Sequence, residues 1–436
     1  MGLQTKKPSL EIRDPIHGPI LVSSEEIRII DSPYVQRLRG IKQTGFAELA
    51  FPGATHNRYS HSLGTFHLAG KVFDQVFQDF EFQDLAEKTR FRFILRMAAL
   101  LHDVGHGPLS HAIEQAMPDR SEVLPNSSSS SEGSRTQATH EDYTEAIVMN
   151  SSITESLKSI FGKDTPLTLV SLIRNENRNS DLFLAGKQKI SLFPVLSSLI
   201  SGEIDVDRMD YMVRDSLYCG IPYGHFDRDW IFSNLAAVER ENQAFLALDS
   251  RALYAFEDFL LSRYHLYLMV YFHHKSVIYD EMLYQFLQTD GNKTRLPSSV
   301  DAYLEVDDYW LKSRLRQAKN PWAARIIEQR PYKMLLEIHS DQAEAEAKAY
   351  ADDVEKKLKQ AQIPYFRSSS SGLLSKYFGH NALPRNPIYV LYRDRRFTSG
   401  HHPGLSMELL SEATDLFDRY KKKRIIDRIF AERGFD

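Results

Sequence analysis

The sequence contains a single cysteine among 436 residues, and it has no long hydrophobic run. A lone Cys219 excludes an intramolecular disulfide framework and fits a reducing compartment. No apolar run approaches the roughly 18–20 residues that a membrane-spanning helix needs, and no secretory signal is expected. The net charge of −4 provides no general positive field for nucleic acid. These absences predict a cytoplasmic protein without a membrane association, and they give no indication of nucleic-acid binding.

The residues that are present have the composition of a globular protein, with 42% hydrophobic and 26% charged residues. The length permits a large core and predicts two or three lobes. We expect an N-terminal hairpin with short helices over residues 1–57, a helical core over residues 58–330, and a small α+β lobe over residues 331–436. The predicted fold class is therefore mainly α.

Local signals predict the individual elements. Residues 10–22 have the apolar pattern and turn dipeptides of a hairpin, and Ser23 with Glu26 forms a capping box for a short helix. Residues 141–290 are expected to be almost entirely helical. The polar stretch 118–139, which includes five consecutive serines, is predicted to be a flexible loop. In the C-terminal lobe we expect strands at Tyr332 to Ile338 and Pro387 to Tyr392, and helices near 341–361 and 406–432.

Side chains that can carry chemistry concentrate between His102 and His111. His102 and Asp103 follow the apolar end of a predicted buried helix, and the glycines and the proline after them allow His106 and His111 to turn back towards the same point. Neutral imidazole and carboxylate are ligands of divalent metals. A hydrogen-bonded core histidine with a capping aspartate would explain one His–Asp pair, but four such groups in ten positions favour a site.

A second informative stretch runs from Glu203 to Asp215. If it is helical, Asp207, Tyr211 and Asp215 lie at positions i, i+4 and i+8 on one face. The alternative is a surface helix whose charges are paired internally through Arg208 and Arg214. The polar face supports a functional site only in combination with the residues between His102 and His111.

The order His61, His102–Asp103 and Asp207, on three helical segments, resembles the H…HD…D signature of the HD superfamily of metal-dependent phosphohydrolases. Residues 56–64, 102–111 and 204–211 resemble the deoxynucleoside triphosphate (dNTP) triphosphohydrolase branch of that superfamily. The resemblance covers roughly residues 10–290. It implies an HD-domain helical bundle that hydrolyses dNTPs at the α-phosphorus to a deoxynucleoside and inorganic triphosphate.

The resemblance also implies roles for individual residues. It assigns one divalent ion (Mn, Fe, Mg or Zn) to four ligands: His61, His102, Asp103 and Asp207. Two imidazoles and two carboxylates leave coordination positions for water and a phosphate oxygen. It assigns catalytic roles to four residues: His111, Glu114, His140 and His106. His111 would work with Glu114, and His106 would contact the phosphates. The alternative to a catalytic role for His140 is that it anchors a loop.

Substrate contacts follow from the same resemblance. The positions that contact the phosphates in this branch correspond to Arg58, Arg208 and Arg263. The branch more often has lysine at the position of Arg208. Asp215 and Tyr211 would hold the sugar 3′-hydroxyl, and Gln43 and Tyr271 would flank the sugar, with Tyr271 occupying the space of a 2′-hydroxyl. Ordinary helix packing is the alternative for Arg263 and Tyr271.

The segment around Asp31, Gln36 and Arg39 resembles the segment that reads a guanine in the activator site of this branch. The resemblance therefore implies a guanine-nucleotide activator site and a homo-oligomer. A helix cap and a surface Arg–Asp pair are the structural alternative. Glu11 stands where an animal member of the branch has a lysine that grips activator phosphates, so Arg13 or Lys333 would have to replace that contact.

Two other functions use part of the same pattern. A different HD-domain phosphohydrolase, either a nucleotide phosphomonoesterase or a cyclic-nucleotide phosphodiesterase, would need only the four metal ligands. A non-catalytic nucleotide-sensing scaffold would keep the metal for structure but would have no use for His111, Glu114 and His140.

Overall fold

The structure is a computed structural model that describes residues 10–125, 136–339, 344–372, 386–393, 405–416 and 424–432. The fold is mainly α, as predicted. The helices are α1 Ser24–Ile30, α2 Pro33–Arg37, α3 Arg58–Val76, α4 Leu85–Leu101, α5 Arg120–Val123, α6 His140–Met149, α7 Ser152–Phe161, α8 Thr165–Ile173, α9 Phe193–Ser201, α10 Val206–Cys219, α11 Arg228–Ser233, α12 Leu253–Leu266, α13 His274–Thr289, α14 Val300–Tyr303, α15 Asp308–Gln317, α16 Pro321–Ile327 and α17 Glu344–Gln360.

Three small sheets accompany the helices in the described residues. Their strands are β1 Leu10–Asp14, β2 Gly18–Val22, β3 Leu184–Ala185, β4 Ile190–Ser191, β5 Leu235–Arg240, β6 Gln243–Asp249, β7 Lys333–His339, β8 Tyr365–Gly372, β9 Tyr389–Arg393, β10 Leu405–Leu409 and β11 Arg424–Ala431. β1 pairs with β2, β11 lies between β7 and β8, and the third sheet has the order β10-β9-β6-β4-β3, with β5 paired to β6.

The predicted hairpin within residues 10–22 and the predicted capping box are confirmed. β1 and β2 form an antiparallel hairpin. The Ser23 side chain accepts from the Glu26 amide while the Glu26 side chain accepts from the Ser23 amide, which completes the capping box of α1. Pro33 occupies the start of α2, where its missing N–H costs nothing.

The helical core is built around α3 and α4, which pack along each other, with α10 lying against α3. The last turns of α4 are apolar and fully buried, from Ile94 to Leu101 apart from Arg96. Burying apolar surface of this kind contributes about 25 cal/mol per Å². The ends of α3, α4 and α10 therefore have fixed positions relative to one another.

Two helix predictions are wrong. Residues 141–290 also contain the β5–β6 hairpin, and residues 406–432 contain strands β10 and β11 where a helix was expected; residues 417–423 lie outside the described part. The strand expected at Tyr332 to Ile338 is β7, that at Pro387 to Tyr392 is β9, and the helix near 341–361 is α17.

The predicted loop 118–139 is structured at both ends. It contains α5, and Asp119 bridges to Gln137, so that the chain leaves and returns at one place. The serines at 127–131 lie outside the described residues. The boundaries at residues 57 and 330 stay predictions, although β9, from beyond the second boundary, pairs in parallel with β6 from before it.

Within the described ranges, none of the helices is both long enough and apolar enough to traverse a lipid bilayer.

Candidate metal centre and active site

Helix ends position the four predicted metal ligands. Asn57 caps α3 through the amide of Ser60, which places His61 in the first turn of that helix. His102 is the C-terminal cap residue of α4, and Asp103 follows it. Asp205 caps α10 through the amide of Arg208, so that Asp207 lies in the first turn of α10. The three segments are far apart in sequence but end at the same point.

The ligand atoms of these residues converge. Nε2 of His61 lies 3.0 Å from Oδ1 of Asp207, and Nε2 of His102 lies 3.6 Å from the same oxygen. The Asp103 carboxylate is 3.6 Å from Nε2 of His61 and 3.3 Å from Nε2 of His102. Both Nε2 atoms are buried and have no hydrogen-bond partner. Because buried polar atoms are normally paired, two unpaired nitrogens that face two carboxylates fit a divalent cation.

The other ring nitrogen of each imidazole, Nδ1, faces a hydrogen-bond acceptor. Nδ1 of His61 lies 2.8 Å from the Asp210 carboxylate, and Nδ1 of His102 lies 2.8 Å from the Ala99 carbonyl. A proton on Nδ1 satisfies both acceptors and leaves the Nε2 lone pairs directed at the common point. This arrangement of a carboxylate, a histidine and a metal position is typical of histidine-bound metals.

The charges of the cluster support the same reading. Burial opposes ionisation of Asp207, but the adjacent imidazoles of His102 and His61 hold the pKa of this carboxyl below its ordinary value. Burial also opposes protonation of His61, yet the adjacent carboxylates of Asp207 and Asp210 raise the pKa of His61 to about 10. The carboxylates therefore attract positive charge to the place where the histidine nitrogens point.

The loop after Asp103 has little room for larger residues. A Cβ on Gly105 would lie 2.1 Å from the His140 carbonyl oxygen. Leu109 and Ser110 adopt positive φ angles of 54° and 60°, a conformation that costs energy for residues other than glycine. The Leu109 amide donates to Asp308 over 2.7 Å, which helps to hold this conformation.

Two buried side chains support this loop from outside. Arg37 donates to the His106 carbonyl over 2.8 Å and to the Val306 carbonyl over 2.9 Å. Tyr303 donates to the Gly105 carbonyl over 2.9 Å. The loop that carries the predicted catalytic residues is thus fixed to the region around α14.

The predicted catalytic residues form one cluster beside the metal ligands. Oε1 of Glu114 lies 3.0 Å from Nδ1 of His111 and 2.6 Å from Nδ1 of His140. Burial would raise the pKa of Glu114, but the hydrogen bonds from His111 and His140 lower it to about 2. His106 lies 3.3 Å from Asp103 and stacks on His140 with ring centroids 3.8 Å apart, so it connects the cluster to the metal ligands.

This second cluster also has the spacing of a metal site, because its four ligand atoms lie within 4.8 Å of one another. The rings of His106 and His140 are nearly parallel, at 14°. A metal lies in the plane of an imidazole that binds it, so one ion cannot be bound by both stacked rings. The geometry therefore argues against a second four-ligand metal centre.

Both clusters open into one cavity of about 540 Å³. The predicted site residues that line it are Gln43, Arg58, His102, Asp103, His106, His111, His140, Asp207, Arg208, Tyr211, Asp215 and Tyr271. Asp207, Tyr211 and Asp215 share this face of α10, as their spacing predicted. A volume of this size is within the range of small-molecule sites.

The end of the cavity near Tyr271 has its own hydrogen-bonded pair. Tyr271 donates to Oδ2 of Asp215 over 2.6 Å, and Nε2 of His56 lies 2.7 Å from Oδ1 of the same carboxylate. Oε1 of Gln43, which also lines the cavity, is buried without a partner. Tyr271 ends a π-helical turn, Tyr267–Tyr271, a distortion that is frequent at functional sites.

The three predicted phosphate-binding arginines are placed differently. Arg58 donates to Asp103 and, over 2.9 Å, to Ser110, and Arg208 donates to Asp205; both line the cavity. Arg263 does not line it, and its guanidinium lies 3.2 Å from Glu203. A role for Arg263 in binding phosphate would require it to reorient.

The residues of the predicted activator site lie outside this cavity. Arg39 donates to Gln36 over 2.8 Å and stacks on the Tyr59 ring, while Asp31 is the C-terminal cap residue of α1. The cap at Asp31 agrees with the structural alternative, whereas Arg39 contacts Gln36 and Tyr59 instead of forming the expected Arg–Asp pair. Neither contact tests the nucleotide role, which stays a prediction. The other residues weighed for that site, Glu11, Arg13 and Lys333, are all exposed.

Sequence reasoning assigned no site role to His56 or Asp210, which orient Asp215 and His61. Both residues lie within stretches that resemble the dNTP triphosphohydrolase branch, His56 just before α3 and Asp210 one helical turn after Asp207.

Comparison with known proteins agrees with this geometry. Residues 58–214 match the HD domain family, and residues 226–363 match the HD associated region. The chain thus contains an HD domain followed by an HD associated region.

Individual relatives make the comparison more specific. An uncharacterised protein from Methanocaldococcus jannaschii is 30% identical over 74% of this chain and 59% of its own length. The human deoxynucleoside triphosphate triphosphohydrolase SAMHD1 is 29% identical over 68% of this chain and 49% of its own length. The crystal structure of a hypothetical protein from Aquifex aeolicus, 28% identical, superposes with a TM-score of 0.72 over 98% of this chain and 97% of that one. The chain thus spans only about half to three-fifths of the curated relatives described here.

Proposed function

We propose that this protein hydrolyses dNTPs to a deoxynucleoside and inorganic triphosphate. The observation that carries the proposal is that one cavity joins the histidine–carboxylate set, the Glu114 cluster and the Asp215–Tyr271 pair. A phosphomonoesterase needs the first of these but has no evident use for all three. The name of the human relative, which is that of a dNTP triphosphohydrolase, supports the same substrate class.

In this proposal His61, His102, Asp103 and Asp207 hold the metal. A divalent metal supplies Lewis-acid polarisation of the phosphoryl group. Arg58 and Arg208 line the cavity and balance the phosphate charge, because a planar guanidinium can donate to two oxygens at once.

Proton transfer is assigned to His111. A water oxygen forms a bond to the α-phosphorus, the bond from that phosphorus to O5′ breaks, and O5′ must gain a proton. Nδ1 of His111 faces the Glu114 carboxylate, so Nε2 is the atom left to give or take a proton in the cavity. His140, on the same carboxylate, fixes the orientation of Glu114.

Sugar recognition is assigned to the other end of the cavity. The Asp215 carboxylate is an acceptor for the 3′-hydroxyl, and Tyr211 lies on the same face of α10 one turn earlier. Tyr271 is held against Asp215 by its hydroxyl, so its ring can occupy the space that a 2′-hydroxyl would need. Gln43 presents an unpaired buried oxygen to the same region.

A product analysis tests the proposal. The protein is incubated with Mn²⁺ or Mg²⁺ and, separately, with each dNTP, each ribonucleotide, a nucleoside monophosphate and a cyclic nucleotide. Anion-exchange chromatography should detect triphosphate and deoxynucleoside in equal amounts from dNTPs. Orthophosphate from the monophosphate, or opening of the cyclic nucleotide without triphosphate release, would assign the site to another HD-domain phosphohydrolase. Nucleotide binding without any product would favour the sensing scaffold.

A further inference from the structure

The carboxylate behind His61 is completely buried and fully hydrogen-bonded. Asp210 has no exposed surface, and Oδ2 accepts from Nδ1 of His61 and from Nε of Arg214, both over 2.8 Å. Oδ1 accepts from Nη2 of Arg214 over 2.9 Å and faces Nε2 of His17 over 2.6 Å. His17 comes from the N-terminal hairpin, 193 residues earlier in the chain.

The hairpin makes a second connection to the same group. Asp14, at the end of β1, accepts from Nη1 of Arg214 over 3.0 Å. Its Oδ1 also accepts from the backbone amides of Ile16 and His17, each over 2.9 Å. Asp14 therefore shapes the turn that carries His17 and also neutralises the arginine that holds Asp210.

The identity of the donor to Asp210 follows from the surroundings of His17. Arg228, which is a donor only, lies 3.4 Å from Nδ1 of His17. Nδ1 must then accept, and the proton of the neutral ring is on Nε2, from which it is donated to Asp210. The histidine thus has one arrangement of hydrogen bonds that satisfies both neighbours.

Gly64 on α3 leaves space for the Asp210–Arg214 pair. A Cβ at Gly64 would lie 1.9 Å from Oδ1 of Asp210 and 2.5 Å from Nη2 of Arg214. Gly64 is one helical turn after His61, so the absence of a side chain lets the Asp210–Arg214 pair approach the helix that carries the predicted ligand.

We infer that the β1–β2 hairpin is part of the metal centre, with His17 as a positioning residue that acts on His61 through Asp210. The inference rests on the proposed role of His61 as a metal ligand. Without His17, Oδ1 of Asp210 keeps only its bond from Arg214, and the carboxylate can rotate towards the arginine and away from His61. Changes in the groups that orient a metal-bound histidine typically weaken metal binding by about 10–100-fold.

The test is a Mn²⁺ titration of the full chain, with free Mn²⁺ measured by electron paramagnetic resonance. His17→Ala should bind Mn²⁺ at least roughly tenfold more weakly than the wild type. His17→Gln, whose amide can still donate to Asp210, should recover part of the affinity. If the alanine variant does not fold, His17→Leu, which fills the space without a donor, replaces it in the same comparison.

Glu26→Gln is the matched control. Glu26 accepts from buried Arg96 over 2.6 Å, and Arg96 also donates to the Leu21 carbonyl, so this pair fixes the same N-terminal segment to α4 without a hydrogen bond to a predicted ligand. It should lower the melting temperature and leave Mn²⁺ affinity unchanged. Equal Mn²⁺ affinity in the wild type and the His17 variants would overturn the inference alone. A wild type that does not bind Mn²⁺ would instead contradict the proposed function.

Discussion

At the residue scale, Asp207 is the predicted ligand whose single oxygen, Oδ1, lies near both histidine Nε2 atoms. Asp207→Ala removes a charged ligand, so the protein should lose both bound metal and turnover. Metal content by elemental analysis and triphosphate release check this together. Asp229→Ala is a matched control, since Asp229 also lies in the first turn of a helix but is exposed. Full metal occupancy in the Asp207 variant would remove this residue from the ligand set.

A substitution of His111 tests the chemical step separately from metal and nucleotide binding. It contacts Glu114 and is not among the predicted metal ligands, so His111→Ala should keep metal and nucleotide affinity. Turnover should fall by roughly 10²-fold or more, the usual effect of losing a positioned acid or base. Single-turnover kinetics with Mn²⁺ and dATP measure the effect. A near-normal rate would move the proton-transfer role to His140 or to water.

Tyr271 tests sugar selection. Tyr271→Ala opens space beside Asp215, so the ratio of dNTP to ribonucleotide hydrolysis should decrease. Tyr271→Phe keeps the ring but loses the hydrogen bond to Asp215, and it should largely retain the selectivity. Relative kcat/KM values for dATP and ATP provide the measurement. An unchanged ratio in the alanine variant would show that another residue excludes the 2′-hydroxyl.

At the element scale, the loop between α4 and the Glu114 cluster depends on its close approach to α6. Gly105→Ala would place a carbon 2.1 Å from the His140 carbonyl and 2.3 Å from the Thr144 amide, so the loop and α6 must separate. We expect a loss of stability of about 1–3 kcal/mol, as for other overpacked positions, and a lower kcat. Thermal denaturation and steady-state kinetics test this. Wild-type values in both would mean that the loop adjusts without moving His140.

At the scale of the whole molecule, the prediction concerns activation and assembly. Arg39 stacks on Tyr59, which precedes the predicted ligand His61 by two residues on α3. A nucleotide bound near Arg39 could therefore affect the metal site through Tyr59 and the start of α3. We expect GTP or dGTP to accelerate dATP hydrolysis, with a shift to larger oligomers in light scattering. Arg39→Ala should reduce both effects, and the coupling should be reciprocal in binding.

The outcome that contradicts this prediction is also clear. If the rate and the molecular mass stay constant on adding guanine nucleotide, and Arg39→Ala changes neither, then Asp31, Gln36 and Arg39 only cap and pack the helices. The hydrolytic site would be unaffected by that result, because these residues do not line its cavity.

The sequence by itself determined the features that depend on neighbours within one segment. The Ser23–Glu26 capping box and the helical spacing of Asp207, Tyr211 and Asp215 are local, because helix ends and faces follow from a few adjacent residues. The HD pattern could be recognised for the same reason, since its motifs are contiguous stretches. The mainly α class and the family assignment followed from these signals.

The tertiary structure alone decided the elements that pair over long distances. Strands β5 and β6 are rich in alanine and leucine, which favour helix, but their turn at Glu241 and Asn242 has positive φ angles of 50° and 59° that suit a tight hairpin. β11 was mistaken for helix because pairing with β7 and β8 determines its conformation. The contact of His17 with Asp210 joins residues 193 positions apart. No local pattern encodes it, since it exists only once the hairpin has packed against α3 and α10.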